Sequence, residues 1–475
     1  MWGNRADPRL STLSRGTSRA TCAPVRTVVV LLGVGMASTG FAQPARTMSL
    51  HEAIAFARAH QPSLAAARAR VAAAREQARL PRAAWSPRIV AGAELLVGTN
   101  NNTTASYGGP LGFDIPRIGG TPANAPSTWS PQGSTLAGVG ARQEVYDFGR
   151  LEAQGAALDL FARAAEDDAA LADLDLTLYV EESFYAVAGA HEVLRAAEAA
   201  VQRSTTHRDL SKAGVDAKLR PPIDLTRAEA DVARFEVDRV RAQGAVTAAE
   251  AVLAAAIGAP DAAIDTGADD IAYPVPGPVD RGELDRRDPS LRAARDVLDA
   301  QHAITRSIER ELMPDVSLSA GITGRAGGSD VANQTSPSGN GVVPDVPNWD
   351  AMVVLSWPIF DRTVSVRADV SRRIERVRAA ELDAQREKLR GLGAGALVDF
   401  EVAQSALPAL QRAVDAARAN HDQAEARFGS GLATAVELAD AETLLTDAEI
   451  QVAIGRFQLS RARARLARAT AEVVP

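Results

Sequence analysis

The chain has 475 residues, 46% of them hydrophobic but only 4% aromatic, and a formal charge of -7. That acidic balance excludes an electrostatic nucleic-acid binder. A single cysteine, Cys22, excludes a disulfide framework and a thiolate metal site.

Arg5, Arg9, Arg15, Arg19 and Arg26 precede an apolar run from Val28 to Val34, and Gly40-Phe41-Ala42 then places small residues where a signal peptidase reads. Residues 1–42 are expected to be a signal peptide cleaved after Ala42. Cys22 lies before the apolar run, whereas a lipid-anchor cysteine would follow it. No later stretch reaches the roughly 18 apolar residues of a membrane helix. An exported chain of this kind is periplasmic, secreted or part of an outer-membrane barrel.

Within a region read as helix over about 49–84, Gln61-Pro62-Ser63-Leu64 opens an Ala/Arg-rich helical stretch that reaches Pro87 and gives way to a strand over 87–98. There Ile89, Ala91, Ala93, Leu95 and Val97 form one apolar face, with Arg88 and Glu94 on the other. A loop rich in Gly, Pro, Asn, Ser and Thr leads to a second strand over 135–146, where Ala137, Val139, Ala141 and Val145 oppose Arg142 and Glu144. Tyr146-Asp147 marks the exit into a helix from Gly149 to about Ala213, roughly 100 Å at 1.5 Å per residue. Val180, Val187, Leu194 and Val201 recur at heptad spacing, the mark of a coiled-coil seam. Arg220-Pro221-Pro222 turns the chain into a helix over 222–257.

The same order then repeats. Asp288-Pro289-Ser290-Leu291 opens the second copy, and Pro62 to Pro289 and Pro87 to Pro314 are both about 227 residues apart. Strands follow at 314–324 and 349–360. Val316, Leu318, Ala320 and Ile322 alternate with Asp315, Ser317, Ser319 and Thr323 in the first; Trp349, Ala351, Val353, Leu355, Trp357 and Ile359 line one side of the second. Phe360-Asp361 answers Tyr146-Asp147, a second long helix runs to about Phe428, and Gly429-Ser430-Gly431 turns into a helix over 434–470. Ile223-Asp224-Leu225-Thr226-Arg227-Ala228-Glu229 answers Val436-Glu437-Leu438-Ala439-Asp440-Ala441-Glu442. The expected organisation is a first repeat at 48–260, a linker at 261–287 and a second repeat at 288–470.

Four strands of this length with one apolar face suit a membrane barrel wall or a sheet packed on a soluble core equally well. The tryptophans favour the barrel. Trp85, Trp129, Trp349 and Trp357 sit in or beside the strands, as an interfacial aromatic girdle requires. Four strands cannot close a barrel, and open edges are forbidden in lipid, so several chains must share one. No catalytic constellation is present: Asp147-Phe148-Gly149 lacks the rest of a kinase signature, and His51-Glu52 and His191-Glu192 lack a second zinc-binding histidine. Neither cofactor nor metal is expected, and the chain is not expected to be an enzyme.

On these residues the chain resembles the TolC-like outer-membrane efflux proteins over nearly all of 48–470. The most specific motifs are Phe428-Gly429-Ser430-Gly431 followed by Glu437 to Glu442, and the counterpart at Asp224 to Glu229. The resemblance implies an α+β membrane protein that forms a homotrimer, with a shared twelve-stranded barrel and a helical tunnel projecting into the periplasm. It implies a periplasmic adaptor and an inner-membrane pump as partners, and a passive exit duct as function; a periplasmic coiled-coil scaffold is the alternative. Glu437 and Asp440 would line the inner face of a periplasmic gate as a carboxylate ring, beside Phe428 and Gly431 at its turn. Phe428 and Ala433 stand where relatives often carry Tyr and Arg. Closure here is therefore expected to rest on packing or on pairs around Arg427 or Arg220.

Overall fold

In the computed structural model, the described residues are 46–99, 131–260, 264–266, 286–327 and 346–471. The chain divides after Pro44, and the first unit, including the expected signal peptide, lies outside the described residues.

Strands β2 (Arg88–Thr99), β3 (Pro131–Tyr146), β5 (Asp315–Gly327) and β6 (Val346–Ser356) form one antiparallel sheet in the order β2-β3-β5-β6. Two hairpins, one from each repeat, are thus joined edge to edge through β3 and β5. The register stacks Ala91, Val139, Ile322 and Trp349 in one cross-strand row, and Gln143, Leu318 and Val353 in another. These rows face outward. Ile322 is 69% exposed and Trp349 80%, whereas Ser317, Ser319 and Thr323 on the opposite face are buried. A sheet on a soluble core would show the reverse. The apolar face has no protein cover among the described residues.

A second, two-stranded parallel sheet pairs β1 (Arg46–Met48) with β4 (Ile264–Thr266). The first helical stretch, read as continuous, is three helices: α1 (Leu50–His60), α2 (Pro62–Gln77) and α3 (Leu80–Ala83). Pro62 pushes Gln61 out of helical geometry (φ -71°, ψ 120°), and Pro81, with no N–H to donate to the carbonyl four residues back, fits the end of α2 at Gln77. Gln61 uses the break: its side-chain amide donates to the carbonyls of Ala256 (2.8 Å) and Ala255 (3.2 Å) at the end of α5 (Pro222–Ala256).

The long helices are α4 (Arg150–Asp216, 67 residues) and α7 (Arg362–Gly429, 68 residues), each about 100 Å. Aspartates start both. Asp147 accepts from the amides of Gly149 (3.0 Å) and Leu151 (2.6 Å); Asp361 accepts from the amide of Thr363 (2.7 Å). These carboxylates satisfy first-turn amides that have no partner within the helix. Arg310 adds a bond to the Gly149 carbonyl (2.7 Å), tying the β3–α4 turn to the end of α6 (Pro289–Glu309).

The helices form four columns. α4 packs against α2 and α5 on one side and against α6 and α8 (Ala435–Ala469) on the other; α7 packs against α6 and α8. Val180, Val187 and Leu194 of the heptad run are buried, while Val201 is half-buried. The largest apolar cluster surrounds Val180 and Phe184, where α1 and the end of α5 meet the middle of α4. The two outer columns are not covered: Val237 and Val240 on α5, and Val366, Val370, Val377 and Val402 on α7, remain exposed.

Candidate functional site

The tips where each long helix reverses carry the residues singled out as a gate. The two turns are built alike. In the first, Lys218 takes φ 54° and the amides of Leu219 (2.8 Å) and Arg220 (3.2 Å) return to the Gly214 carbonyl. In the second, Gly431 takes φ 77° and the amides of Leu432 (2.8 Å) and Ala433 (3.2 Å) return to the Arg427 carbonyl. Arg220 and Ala433 are therefore equivalent positions, and the arginine absent at 433 is present on the other turn. Glycine at 431 takes left-handed backbone without strain; Lys218 carries that cost.

Arg220 reaches across to the second turn. Its guanidinium carbon lies 3.5 Å from the Phe428 ring centroid, and Nη2 donates to the Phe428 carbonyl at 2.6 Å. Nη1 is 3.8 Å from Asp224. Phe428 is buried against Ala433, Ala435 and Leu438, with the His207 ring edge-on at 4.9 Å. A hydroxyl at 428 would have no role in this contact, because the ring face and the backbone carbonyl make it.

Glu437 and Asp440 are exposed on α8, three residues apart and so on one helix face. Thr434 caps that helix by accepting from the Glu437 amide (3.3 Å). The Glu437 carboxylate lies 3.8 Å from Arg427, so part of its charge is balanced within the chain; no ion pair of Asp440 occurs among the described residues.

Behind the tip is a polar layer that was not singled out from sequence. Arg203 donates to Thr446 (3.1 Å) and Glu449 (3.2 Å), and Arg234 to Thr443 (2.9 Å). Glu442 is 2% exposed and its Oε1 has no hydrogen-bond partner among the described residues. Burial pushes its carboxyl up to about 7, opposed by Arg203. Spacing could have revealed it: Leu438, Ala441, Glu442 and Leu445 fall on one helix face, and all four are buried.

At the sheet, Trp349 and Trp357 are exposed, whereas Trp85 is half-buried with its carbonyl accepting from Gln143 (3.1 Å). Trp129 lies outside the described residues.

An antiparallel wall with its apolar face outward, mounted on helices of about 100 Å, defines a β-strand membrane protein with a helical stalk. A family model described as outer membrane efflux protein matches residues 53–259 and 282–472, and the chain belongs to that family. It is an outer-membrane efflux channel protein, a transport protein rather than an enzyme. No curated protein matches the chain. Among solved structures it is similar to the outer-membrane channel OprN, at 23% identity and TM-score 0.71 over 89% of each chain. It is similar to the outer membrane protein VceC of Vibrio cholerae, at 20% identity and TM-score 0.71, over 89% of this chain and 95% of that one. The MtrE outer membrane channel of Neisseria gonorrhoeae, in an open state, matches at 20% identity and TM-score 0.69, over 89% of this chain and 88% of that one. At these identities the likeness shows the fold.

Proposed function

We propose that the chain is one subunit of a gated, passive exit duct: a homotrimer whose shared barrel crosses the outer membrane and whose helical tunnel receives cargo from a periplasmic adaptor and an inner-membrane pump. Residues 48–260 and 288–470 act as its two repeats, 261–287 as their linker, and 1–42 as the export signal. The observation that carries this reading is the outward apolar face of the four-stranded sheet, with β2 and β6 left as open edges. Lipid accepts such a face but not such edges, so neighbouring copies must pair them. The exposed apolar residues of α5 and α7 lie on the two outer helix columns, where the same neighbours would cover them. Energy and cargo selection then reside in the partners.

The helix tips form the gate in this reading. Glu437 and Asp440 line its inner face as a carboxylate ring that attracts cations and repels anions. Gly431 shapes the turn, and Phe428 anchors it through Arg220.

Cysteine labelling tests the placement, because Cys22 is the only native thiol and lies in the expected signal. Asn101→Cys, in the long loop outside the described residues, should react with a bulky impermeant maleimide on intact cells. Glu437→Cys should react only after the outer membrane is permeabilised. If residue 101 also stays unlabelled until permeabilisation, the strands do not span and the periplasmic scaffold is the better reading.

A further inference from the structure

The polar layer behind the tips contains two buried side chains with opposite acid–base behaviour. Glu442 on α8 has an orphan carboxylate oxygen. His207 on α4 is 4% exposed, and neither ring nitrogen has a hydrogen-bond partner among the described residues. Neither group can be charged there without loss of solvation. Their surroundings do not compensate. Arg203 on α4 gives its Nη2 to Thr446 and Glu449 and opposes the Glu442 shift only in part, its buried Nε having no partner among the described residues, and Arg418 on α7 also pairs with Glu449 (3.5 Å). Glu442 further faces Asp231 and Arg234 of α5 and Glu425 of α7, two like charges and one opposite. His207 faces Asp231 and Asp224 of α5, His421 of α7 and Arg220 of the turn, in mixed sign. Asp231 is common to both.

We propose that Glu442 and His207 form a proton-compensated joint: when the four helices loosen at the tip, Glu442 releases a proton to water and His207 takes one up. Packed, both side chains are neutral; loosened, they become carboxylate and imidazolium, and no net proton is exchanged with the medium. The joint thereby stays indifferent to pH across the mildly acidic range, where either group alone would make it sensitive. The inference rests on the gate reading for its use, and on the helix packing alone for its existence.

The signs follow from linkage. Burial raises the Glu442 carboxyl from its ordinary value to about 7, so the packed state holds a proton that the loosened state has lost. Loosening through this group is favoured as pH rises towards 7, by up to about tenfold per unit, and is flat above. Burial lowers the His207 imidazole, so the loosened state binds a proton that the packed state lacks. Loosening through this group is favoured as pH falls below about 6.5, again by up to about tenfold per unit. Between about pH 5 and 6.5 the two slopes oppose.

Hydrogen exchange of the purified full chain in detergent, corrected for intrinsic rates, reads the joint at peptides covering 203–231 and 421–449. The wild type should change less than about threefold between pH 5 and 6.5. Glu442→Gln should open with falling pH, His207→Asn should open with rising pH, and the double variant should again be flat. If one single variant folds poorly, the sign of the other single variant's slope still decides. Two single variants with wild-type profiles, or with slopes of the same sign, would overturn the proposal. Ion conductance in planar bilayers reports the duct reading separately; its absence would leave the exchange slopes intact.

Discussion

Arg220 sets its guanidinium carbon 3.5 Å from the Phe428 ring centroid and donates to the same residue's carbonyl, so a single side chain from the first helical turn holds both the ring and the backbone of an anchor in the second. The two residues are 208 positions apart, and the contact bridges the two hairpins of one subunit. A cation over an aromatic face contributes about 1 kcal/mol, and a charged hydrogen bond about 1.5–3 kcal/mol.

Removing that tie should open the tip. Arg220→Ala is expected to shift the closed-to-open balance by roughly 2 kcal/mol, about thirtyfold, read as open probability of the purified protein in bilayers. Arg220→Lys keeps the charge but loses the planar stack, and should fall between. Unchanged gating in both variants would remove Arg220 from the mechanism.

Ile322 tests the membrane face. Lysine there should cost about 2–4 kcal/mol at mid-bilayer and deplete the protein from the outer-membrane fraction. On a solvent-facing sheet the same change would be tolerated, since Ile322 is already exposed. Normal membrane yield of Ile322→Lys would contradict the barrel.

Gly138 tests the seam between the hairpins. A Cβ there would sit 2.6 Å from Thr323 Cγ2 and 2.9 Å from the Ile322 carbonyl oxygen, one of them backbone that cannot yield. Gly138→Val should therefore strain the β3–β5 pairing by about 1–3 kcal/mol and lower the amount of heat-resistant oligomer on gels.

The carboxylate ring predicts an ordering. Arg427 already balances part of the Glu437 charge, whereas Asp440 has no such partner among the described residues. Asp440→Asn should reduce cation-over-anion permeability more than Glu437→Gln does. Reversal potentials under a salt gradient measure this, and selectivity untouched by the double variant would exclude the ring.

Strands and long helices were legible because one chemical alternation runs through each. Apolar residues at every second position marked β5, and Val180, Val187 and Leu194 marked the α4 seam. The sheet's orientation was not legible from alternation, which is the same whichever face meets water; only the tryptophans in and beside the strands pointed to the membrane side. Pro62 marks the opening of α2, whereas the break before α3 is carried by Pro81 and has no other signature in an otherwise helix-rich stretch. The Arg220–Phe428 contact had no local signature, because it depends on how two distant turns meet, although Arg220 was one of two arginines singled out. Glu442 hid in a motif whose exposed members, Glu437 and Asp440, drew the functional reading.

The β3–β5 seam joins the second strand of one hairpin to the first strand of the next. A neighbouring copy would have to form the same kind of seam, β6 of one chain to β2 of another. Half of the hairpin junctions in such a ring are therefore closed within a chain, at no dependence on concentration. An ancestor with one hairpin per chain would need twice as many intermolecular seams to build the same wall. Fusing the hairpins lowers the kinetic order of assembly, and with it the time that bare strand edges spend exposed to the wrong partners.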